Sequence, residues 1–328
     1  MPRRPLTELF HNLSCAFFRL HIHVLVASML DRLPLELATR IVQQATYDFR
    51  FSAAYRQSVV NLASTSHAVY TIVAPILYHT LIVNQTNNSR IIRFMAREDT
   101  RTAAARMCSH VRILHFPALM YQFDTSLITS LERIYSSGDF IRDVFAQIDI
   151  TRHCELRHVT FLTPDFVEDL MKLAAHTREH VTHVCGDIPS PDGYDRTGMY
   201  AKPVAWTHQI LDALPNVTHL GLVHLTVQRP NDTTSPIDEF DMEALRTVLQ
   251  TALSYEHRRL RRVALRVGSL YIIRRRGDIE KMVQDINDAR LSVWWDERSM
   301  STWDDWKDYE CEDAMHERDI WTEARGLP

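Results

Sequence analysis

A short hydrophobic pattern recurs along most of the chain: an apolar residue, two mostly polar residues, a second apolar residue, any residue, and a third apolar residue. The pattern begins at Tyr78, Val111, Leu156, Val181, Val217 and Leu260. The copy at Val181 fits only the first four places. Because the last two apolar places are two residues apart, they fall on one face of a β-strand. The pattern therefore predicts six strands.

Between these copies, apolar residues return at steps of three and four, which is the spacing of amphipathic helices. The predicted helical segments are 89–108, 126–148, 164–176, 205–214, 238–255 and 278–289. Successive copies start 25 to 45 residues apart, and strand–helix units of that size favour an α/β fold built as an irregular, leucine-rich-repeat-like horseshoe. Regular repeats keep a more constant length and a ladder of asparagines, so another α/β domain with a parallel sheet is the alternative.

A different pattern occupies residues 33–83. Apolar residues at Leu33, Leu37, Ile41 and Ala45 recur at four-residue steps, and two further helical sets end near Ala63 and Ile76. Three short helices over about fifty residues make only a marginal core by themselves. The unit therefore needs a neighbour in the same chain or a partner protein.

The motifs of this unit are Leu33-Pro34-x-Glu36-Leu37 with Ile41, then Ser66-His67-Ala68 and Pro75-Ile76-Leu77-Tyr78. They resemble the F-box-like modules of fungal proteins, and the resemblance covers about a sixth of the chain. It implies a non-catalytic subunit that binds the Skp adaptor, and through it a cullin, in a Skp–cullin–F-box ubiquitin ligase of the cytoplasm or nucleus. It also implies that leucine-rich-repeat-like units follow and bind a protein substrate. The residues expected to contact the adaptor are Leu33, Pro34, Leu37, Ile41, Leu62, Val69 and Leu77. A scaffold whose F-box-like helices only cap the repeats is the alternative.

These observations divide the chain into four predicted segments. They are a helical N-terminal extension (1–30), the F-box-like module (31–83), the repeat-like α/β domain (84–295) and a C-terminal cap (296–328). The last segment is acidic and aromatic: residues 296–323 hold eleven acidic and three basic side chains, and five of the six tryptophans lie between 294 and 321. We expect a final helix there that covers the open end of the repeat array, with a partner-binding helix as the alternative.

Composition excludes several classes of function. Hydrophobic content of 45%, charged content of 24% and a net charge of −4 are ordinary for a globular protein. The 8 glycines form no phosphate-binding motif, and the 5 cysteines are scattered without a C-x-x-C pair, so neither a cofactor nor a metal or disulfide framework is expected. Charged and histidine side chains interrupt the apolar run of residues 15–30, so no membrane partner is expected.

One local motif has a catalytic interpretation. His176-x-x-Glu179-His180 matches the inverted zinc-protease signature, in which two histidines bind zinc and the glutamate acts as a base. It falls at the end of a predicted helix, directly before a predicted strand, where histidines are also favoured by the helix dipole. We expect a helix terminus here and no enzymatic activity.

Eight arginines between residues 258 and 276 have a nucleic-acid interpretation. In the predicted strand, however, Val263, Leu265 and Val267 share one face, while Arg262 and Arg266 share the other. A half-exposed strand explains this alternation, with the arginines either solvated or paired within the chain to the acidic side chains of residues 296–323. No nucleic-acid partner is therefore expected.

The strand positions beside the buried pair are predicted to face the concave side of the horseshoe. A histidine or an arginine recurs there from strand to strand, as His115, His158, His183, His219, Arg262 and Arg266. Our hypothesis is that this polar, weakly cationic surface binds an acidic segment of a protein substrate. The alternative is that these residues are ordinary solvated strand positions.

Overall fold

The computed structural model describes residues 40, 60, 63–64, 67–84, 87–116, 127–136, 156–161, 170–171, 173–188, 203–224, 239–254, 259–298, 313 and 319–326. The chain divides into two compact units, Met1–His79 and Thr80–Pro328. The α/β domain lies in the second unit.

Helix α1, His67–Leu77, is the described element of the first unit. Val69, Val73 and Ala74 are buried and lie on one side of this helix, at helical spacing. Val69, a predicted adaptor contact, is only 2% exposed, so the chain itself already covers its side chain. Leu77, another predicted contact, is half-buried. The other predicted contacts (Leu33, Pro34, Leu37, Ile41 and Leu62) and the N-terminal extension lie outside the described residues.

The second unit is an α/β domain built on one parallel sheet. Its strands are β1 Thr80–Ile82, β2 Ile113–Phe116, β3 Arg133–Ser136, β4 His158–Phe161, β5 His183–Asp187, β6 His219–His224, β7 Arg262–Gly268 and β8 Leu291–Asp296. Its described helices are α2 Asn88–Ala96, α3 Glu98–Cys108, α4 Ala175–His180, α5 Pro203–Ala213, α6 Glu239–Ser254, α7 Ser269–Ile286 and α8 Ile320–Glu323. The strand order is β1 to β8 without a break, and every pair is parallel. The predicted α/β class is therefore confirmed.

The six copies of the hydrophobic pattern coincide with β1, β2, β4, β5, β6 and β7. Strand β3 was missed, because Leu131 and Ile134 are three residues apart and were assigned to a helix over 126–148. That helix prediction is wrong at 133–136, where the chain forms a strand. Strand β8 was missed because Asp288 stands three residues before Leu291, where the pattern requires an apolar residue.

One apolar residue from every strand lies in a continuous row across the sheet. The aligned residues are Leu81, Leu114, Ile134, Val159, Val184, Leu220, Val263 and Leu291. Together with apolar side chains of α2, α3, α5, α6 and α7, they belong to one core cluster that extends from Val83 to Val293. The helices therefore cover the first face of the sheet.

A repeated hydrogen-bond arrangement leads into the strands. The carbonyl of Arg112 accepts from the backbone N–H groups of Glu132 and Arg133, and the carbonyl of Arg157 accepts in the same way from Thr182 and His183. The same two-to-one arrangement, in which two consecutive N–H groups donate to one carbonyl of the preceding unit, precedes β3, β4, β5, β6 and β7. Five successive strands therefore enter the sheet through the same local geometry.

The opposite, second face of the sheet is covered over β5 to β8 by residues 319–325, here called the C-terminal segment. Its Ile320 and Ala324 are buried in a small cluster with side chains of all four strands, and Arg325 pairs with Val293 of β8 by two backbone hydrogen bonds. The described part of the predicted C-terminal cap contains a four-residue helix, α8, that lies on a face of the sheet, whereas residues 299–312 of the predicted cap lie outside the described residues. The expectation that β7 is half-exposed is wrong, because every residue from Val263 to Gly268 is buried.

Candidate functional site

Three histidines are stacked on the second face of the sheet. His158, His183 and His219 occupy the same register position on β4, β5 and β6. Their ring centroids are 4.0 and 4.1 Å apart, and adjacent rings are tilted by only 13° and 12°. Arg133 continues the row on β3 and Arg262 continues it on β7. We call the three stacked histidines the histidine column.

Threonine hydroxyls fix the orientation of two of these rings. Thr218 donates its hydroxyl proton to the carbonyl of Thr182, 3.1 Å away, so its oxygen is free to accept from His219 Nδ1 at 2.8 Å. Thr182 Oγ1 likewise lies 2.9 Å from His183 Nδ1, and it donates to the carbonyl of Arg157 at 3.5 Å. A neutral imidazole that donates from Nδ1 keeps Nε2 as an acceptor. In this tautomer the two Thr-His pairs, Thr182-His183 and Thr218-His219, each leave Nε2 as an acceptor.

The histidine column is neutral at pH 7. Burial lowers the pKa of His158 to about 3, with further lowering by His183 and by Arg133. Burial also lowers the pKa of His183 to about 3, again assisted by the neighbouring histidine and by Arg133. Burial, followed by the charges of Arg262 and Arg261, lowers the pKa of His219. Stacked rings between two guanidinium groups cannot readily accept a proton, because like charges would be held together with little water.

The indole of Trp321 from the C-terminal segment packs against this column. Its centroid lies 5.4 Å from the ring of His183 and 5.4 Å from that of His219, in edge-on geometry. The indole also passes close to Gly221: a Cβ at this position would lie 3.1 Å from Trp321 Cη2. The missing side chain in the middle of β6 therefore leaves the space that the indole needs.

The two arginines that flank the column bind the C-terminal segment by charge and by hydrogen bonds. Arg133 Nη1 lies 3.2 Å from Asp319 Oδ2, while Asp319 Oδ1 accepts from the backbone N–H groups at the start of α8. Arg262 donates to the carbonyl of Trp321 at 2.7 Å and also to the carbonyl of Ala324. At the histidine column and its flanking arginines, the segment is thus held by one carboxylate, one indole and two main-chain carbonyls.

A buried group of four charges lies beside this site. Arg266 Nη2 is 2.7 Å from Asp296 Oδ2 and 3.2 Å from Asp313 Oδ2, and Arg298 bonds to both carboxylates. The guanidinium of Arg266 also lies 4.2 Å from the centre of the Trp294 ring. Burial opposes ionisation of Asp296, but hydrogen bonds and charges from Arg298 and Arg266 outweigh it, so its pKa lies below the usual value. The group is a balanced internal network.

The predicted recognition residues therefore separate into two groups. His158, His183, His219 and Arg262 are half-buried on the second face. In contrast, His115 is 1% exposed and Arg266 is 4% exposed, so neither is available to a substrate in this structure. Burial lowers the pKa of His115 to about 3, and its ring contacts that of Tyr135.

The sequence analysis did not predict Arg133, Gly221 or Asp319 as site residues, and it included Trp321 only among the tryptophans of the C-terminal cap. Arg133 lies in the strand that was assigned to a helix. Gly221 stands inside an apolar strand, and such a glycine indicates a close approach by another part of the chain. That signal was present, although it does not identify Trp321 as the residue that approaches.

The zinc-protease-like motif forms the end of α4, which stops at His180. His180 Nδ1 lies 2.7 Å from the carbonyl of His176, one turn earlier. Over the residues that the structure describes, no group of three or more His, Cys, Asp or Glu side chains is placed to hold a metal ion. Within the same residues, no helix has the length and apolar character needed to cross a membrane.

Comparison of the chain with protein-family models, with curated proteins and with solved structures gave no match.

Proposed function

We propose that this chain is a non-catalytic substrate-binding subunit of a Skp–cullin–F-box ubiquitin ligase. The support for the ligase part is the F-box-like sequence of residues 31–83, with Leu33-Pro34 at its start and Leu37 and Ile41 on its first apolar stripe. The support for the substrate-binding part is the α/β domain that follows it. This function implies a location in the cytoplasm or the nucleus.

The observation that carries the proposal is that five successive strands of one sheet are preceded by the same backbone hydrogen-bond arrangement. The strands follow chain order, and the same two-to-one backbone hydrogen bonds precede β3 to β7. Both features are expected of a repeat array, in which each unit contacts its neighbours. We therefore interpret residues 84–295 as irregular leucine-rich-repeat-like units that form a horseshoe, the kind of domain that the F-box resemblance implies.

In this function the second face of the sheet holds the substrate. Arg133 and Arg262 supply positive charge at either end of a neutral row of histidines, and both already bind oxygen atoms of the C-terminal segment. Such a surface suits an acidic protein segment. Holding that segment near a ubiquitin-charged enzyme accelerates transfer by proximity, without a catalytic residue in this chain.

A scaffold without ligase partners is the second candidate function. The burial of Val69, Val73 and Ala74 favours it, because an apolar stripe already covered within the chain has less need of an adaptor. The scaffold requires that the helices of residues 31–83 only stabilise the rest of the chain.

Co-purification distinguishes the two functions. The full chain is expected to retain a Skp adaptor and a cullin, and Leu37→Asp or Ile41→Asp is expected to reduce retention at least about tenfold, because a carboxylate on the apolar stripe must be desolvated. Arg40→Gln is the matched control, since Arg40 lies between the two positions with an exposed side chain. If the chain retains no adaptor, and both Asp variants only lower the melting temperature, the scaffold is the correct function.

A further inference from the structure

The C-terminal segment occupies the second face in the manner of a bound peptide. Its polar and aromatic contacts with the sheet come from side chains on separate strands: Arg133 on β3, His183 on β5, His219 on β6 and Arg262 on β7. Its Ile320 and Ala324 add apolar contacts with side chains of β5 to β8. Its two backbone hydrogen bonds to a strand are confined to the single pairing of Arg325 with Val293. The segment is thus held mainly by side chains of the sheet and does not form a further strand of it.

The recognition elements of the segment are compact and separable. Asp319 supplies the carboxylate for Arg133, and two residues later Trp321 supplies the indole for the histidine column and a carbonyl for Arg262. Asp319 also starts α8 through a capping box with Thr322, which places the carboxylate and the indole at a fixed spacing. An Asp-x-Trp sequence that begins a helical turn therefore carries three of the described contacts.

The surface beneath the segment is adapted to these elements. Gly221 provides the slot for the indole, with Cys185 and Trp321 as the nearest neighbours of a Cβ at that position. A cavity of about 20 Å³ remains between the segment and the sheet, beside Tyr135 and Thr160, which is room for about one water molecule. The contact between the segment and the sheet is therefore not filled completely at this point.

We propose that the second face is a binding site for acidic peptide segments that contain Asp-x-Trp at the start of a helical turn. The chain's own residues 319–325 occupy this site as an internal competitor. The proposal rests on the substrate-binding part of the proposed function and identifies the chemical class of the substrate segment. A protein partner gains access when its Asp-x-Trp segment displaces the internal one.

The acidic charge of the region around the C-terminal segment agrees with an acidic peptide as the partner. The region from which the segment comes, residues 296–323, has eleven acidic and three basic side chains. The second face offers Arg133 and Arg262 to oxygen atoms and keeps its histidines neutral. Tryptophan and arginine are enriched among the residues that dominate binding energies, and here Trp321 contacts Arg262 while Arg133 pairs with Asp319.

Peptide binding by the full-length protein tests the proposal. The probe is a fluorescent peptide of residues 315–326, and the control peptide carries Trp321→Ala. The Asp319→Ala/Trp321→Ala double variant of the protein vacates the site and is expected to bind the probe at least about tenfold more tightly than the wild type. Adding Arg262→Ala to this variant is expected to abolish the gain, and the control peptide is expected to bind neither protein.

If the double variant does not fold, amide hydrogen exchange of the wild type tests the proposal instead. In the wild type, the backbone amides of Trp321, Ala324 and Arg325 are expected to exchange through local opening, at least about a hundredfold faster than those of β6 and β7. Exchange of these amides at the same rate as the strand amides would overturn the proposal, because the segment would then be an inseparable part of the fold. Equal binding of the probe by the wild type and a folded double variant would also overturn it.

Three further outcomes distinguish this proposal from dimerisation and from the ligase function. If the wild type forms a dimer that Arg262→Ala dissolves, the occupant is the same segment of a second copy, and the peptide-partner proposal is wrong. If the probe does not bind but the Skp adaptor is retained, the inference fails while the ligase function stands. If the probe binds and no adaptor is retained, the inference stands and the ligase function fails.

Discussion

The indole of Trp321 lies so close to Gly221 that a side chain on the glycine would crowd both the indole and the thiol of Cys185. A Cβ at position 221 would lie 3.1 Å from Trp321 Cη2 and 2.8 Å from Cys185 Sγ. The two residues are a hundred positions apart in the chain. Their contact therefore joins the middle of the sheet to the C-terminal segment.

Replacing this glycine tests the contact directly. Gly221→Ala is expected to lower the free energy of unfolding by about 1–3 kcal/mol, because the added methyl group overpacks a filled site. It is also expected to increase the exposure of Trp321, seen as a red shift of tryptophan fluorescence. Chemical denaturation of the variant and the wild type measures the first effect.

The matched control is Gly277→Ala in α7. Nothing lies within 4 Å of a Cβ at position 277, and alanine is favoured over glycine inside a helix by about 0.5–1 kcal/mol. This variant is expected to be more stable than the wild type. Destabilisation by both substitutions would contradict the special role of position 221.

The buried charge network is expected to be the most sensitive polar site of the domain. Arg266→Met leaves Asp296 and Asp313 with one guanidinium in place of two, and removing one partner from a buried ion pair costs about 3–5 kcal/mol. Arg246→Met is the control, because its ion pair with Asp285 spans 3.5 Å at the surface and is worth at most about 1 kcal/mol. Equal melting temperatures for the two variants would argue against the network.

Stability is expected to fall as the pH falls below about 6.5. His115, His158 and His183 stay neutral in the folded protein, because their pKa values are lowered to about 3, whereas unfolded histidines take up protons near pH 6.5. The unfolded state then binds more protons, so the free energy of unfolding decreases between about pH 6.5 and 3. Denaturation curves from pH 7.5 down to pH 4.5 measure this dependence.

A single substitution assigns part of this pH dependence to the histidine column. His183→Gln is expected to reduce the number of protons taken up on unfolding at pH 5 by about one, as derived from the slope of stability against pH. An unchanged slope would mean that His183 is protonated in the folded state.

The end of α7 offers a prediction about backbone conformation. Asn287 has φ 47° and ψ 47°, the left-handed region, and its N–H bonds to the carbonyl of Val283. Asn287→Gly is expected to be neutral or slightly stabilising, because glycine adopts this conformation without a steric cost. Asn287→Val is expected to cost about 1–2 kcal/mol. Thermal unfolding of the two variants provides the comparison.

The parts of the fold that depend on local periodicity were predictable. In the five complete copies the apolar pair, such as Val263 and Leu265, determines which strand face meets the helices, and all six copies form strands. Strand β3 was not predictable in this way, since a three-residue step between Leu131 and Ile134 fits a helix as well as the pattern. Local spacing alone does not decide between them.

The candidate site was predictable only in part. The position of His158, His183, His219 and Arg262 on one face follows from alternation along the strands. That Trp321 covers two of these histidines, and that Asp313 pairs with Arg266, depends on contacts between residues far apart in the chain. Hydrophobic periodicity contains no information about such contacts, so the C-terminal segment was assigned to the end of the array.

The contact of Arg133 with Asp319 joins residues 186 positions apart, in a sheet whose strands otherwise pair in chain order. Neighbouring units can assemble one after another by closing short loops, whereas this contact requires a long loop in the unfolded chain. Once β3 to β8 have formed, that cost has already been met by the strand pairings. The sheet is therefore expected to fold first and the C-terminal segment afterwards. Trp321 would then pack against the histidine column only after strands β3 to β8 have formed.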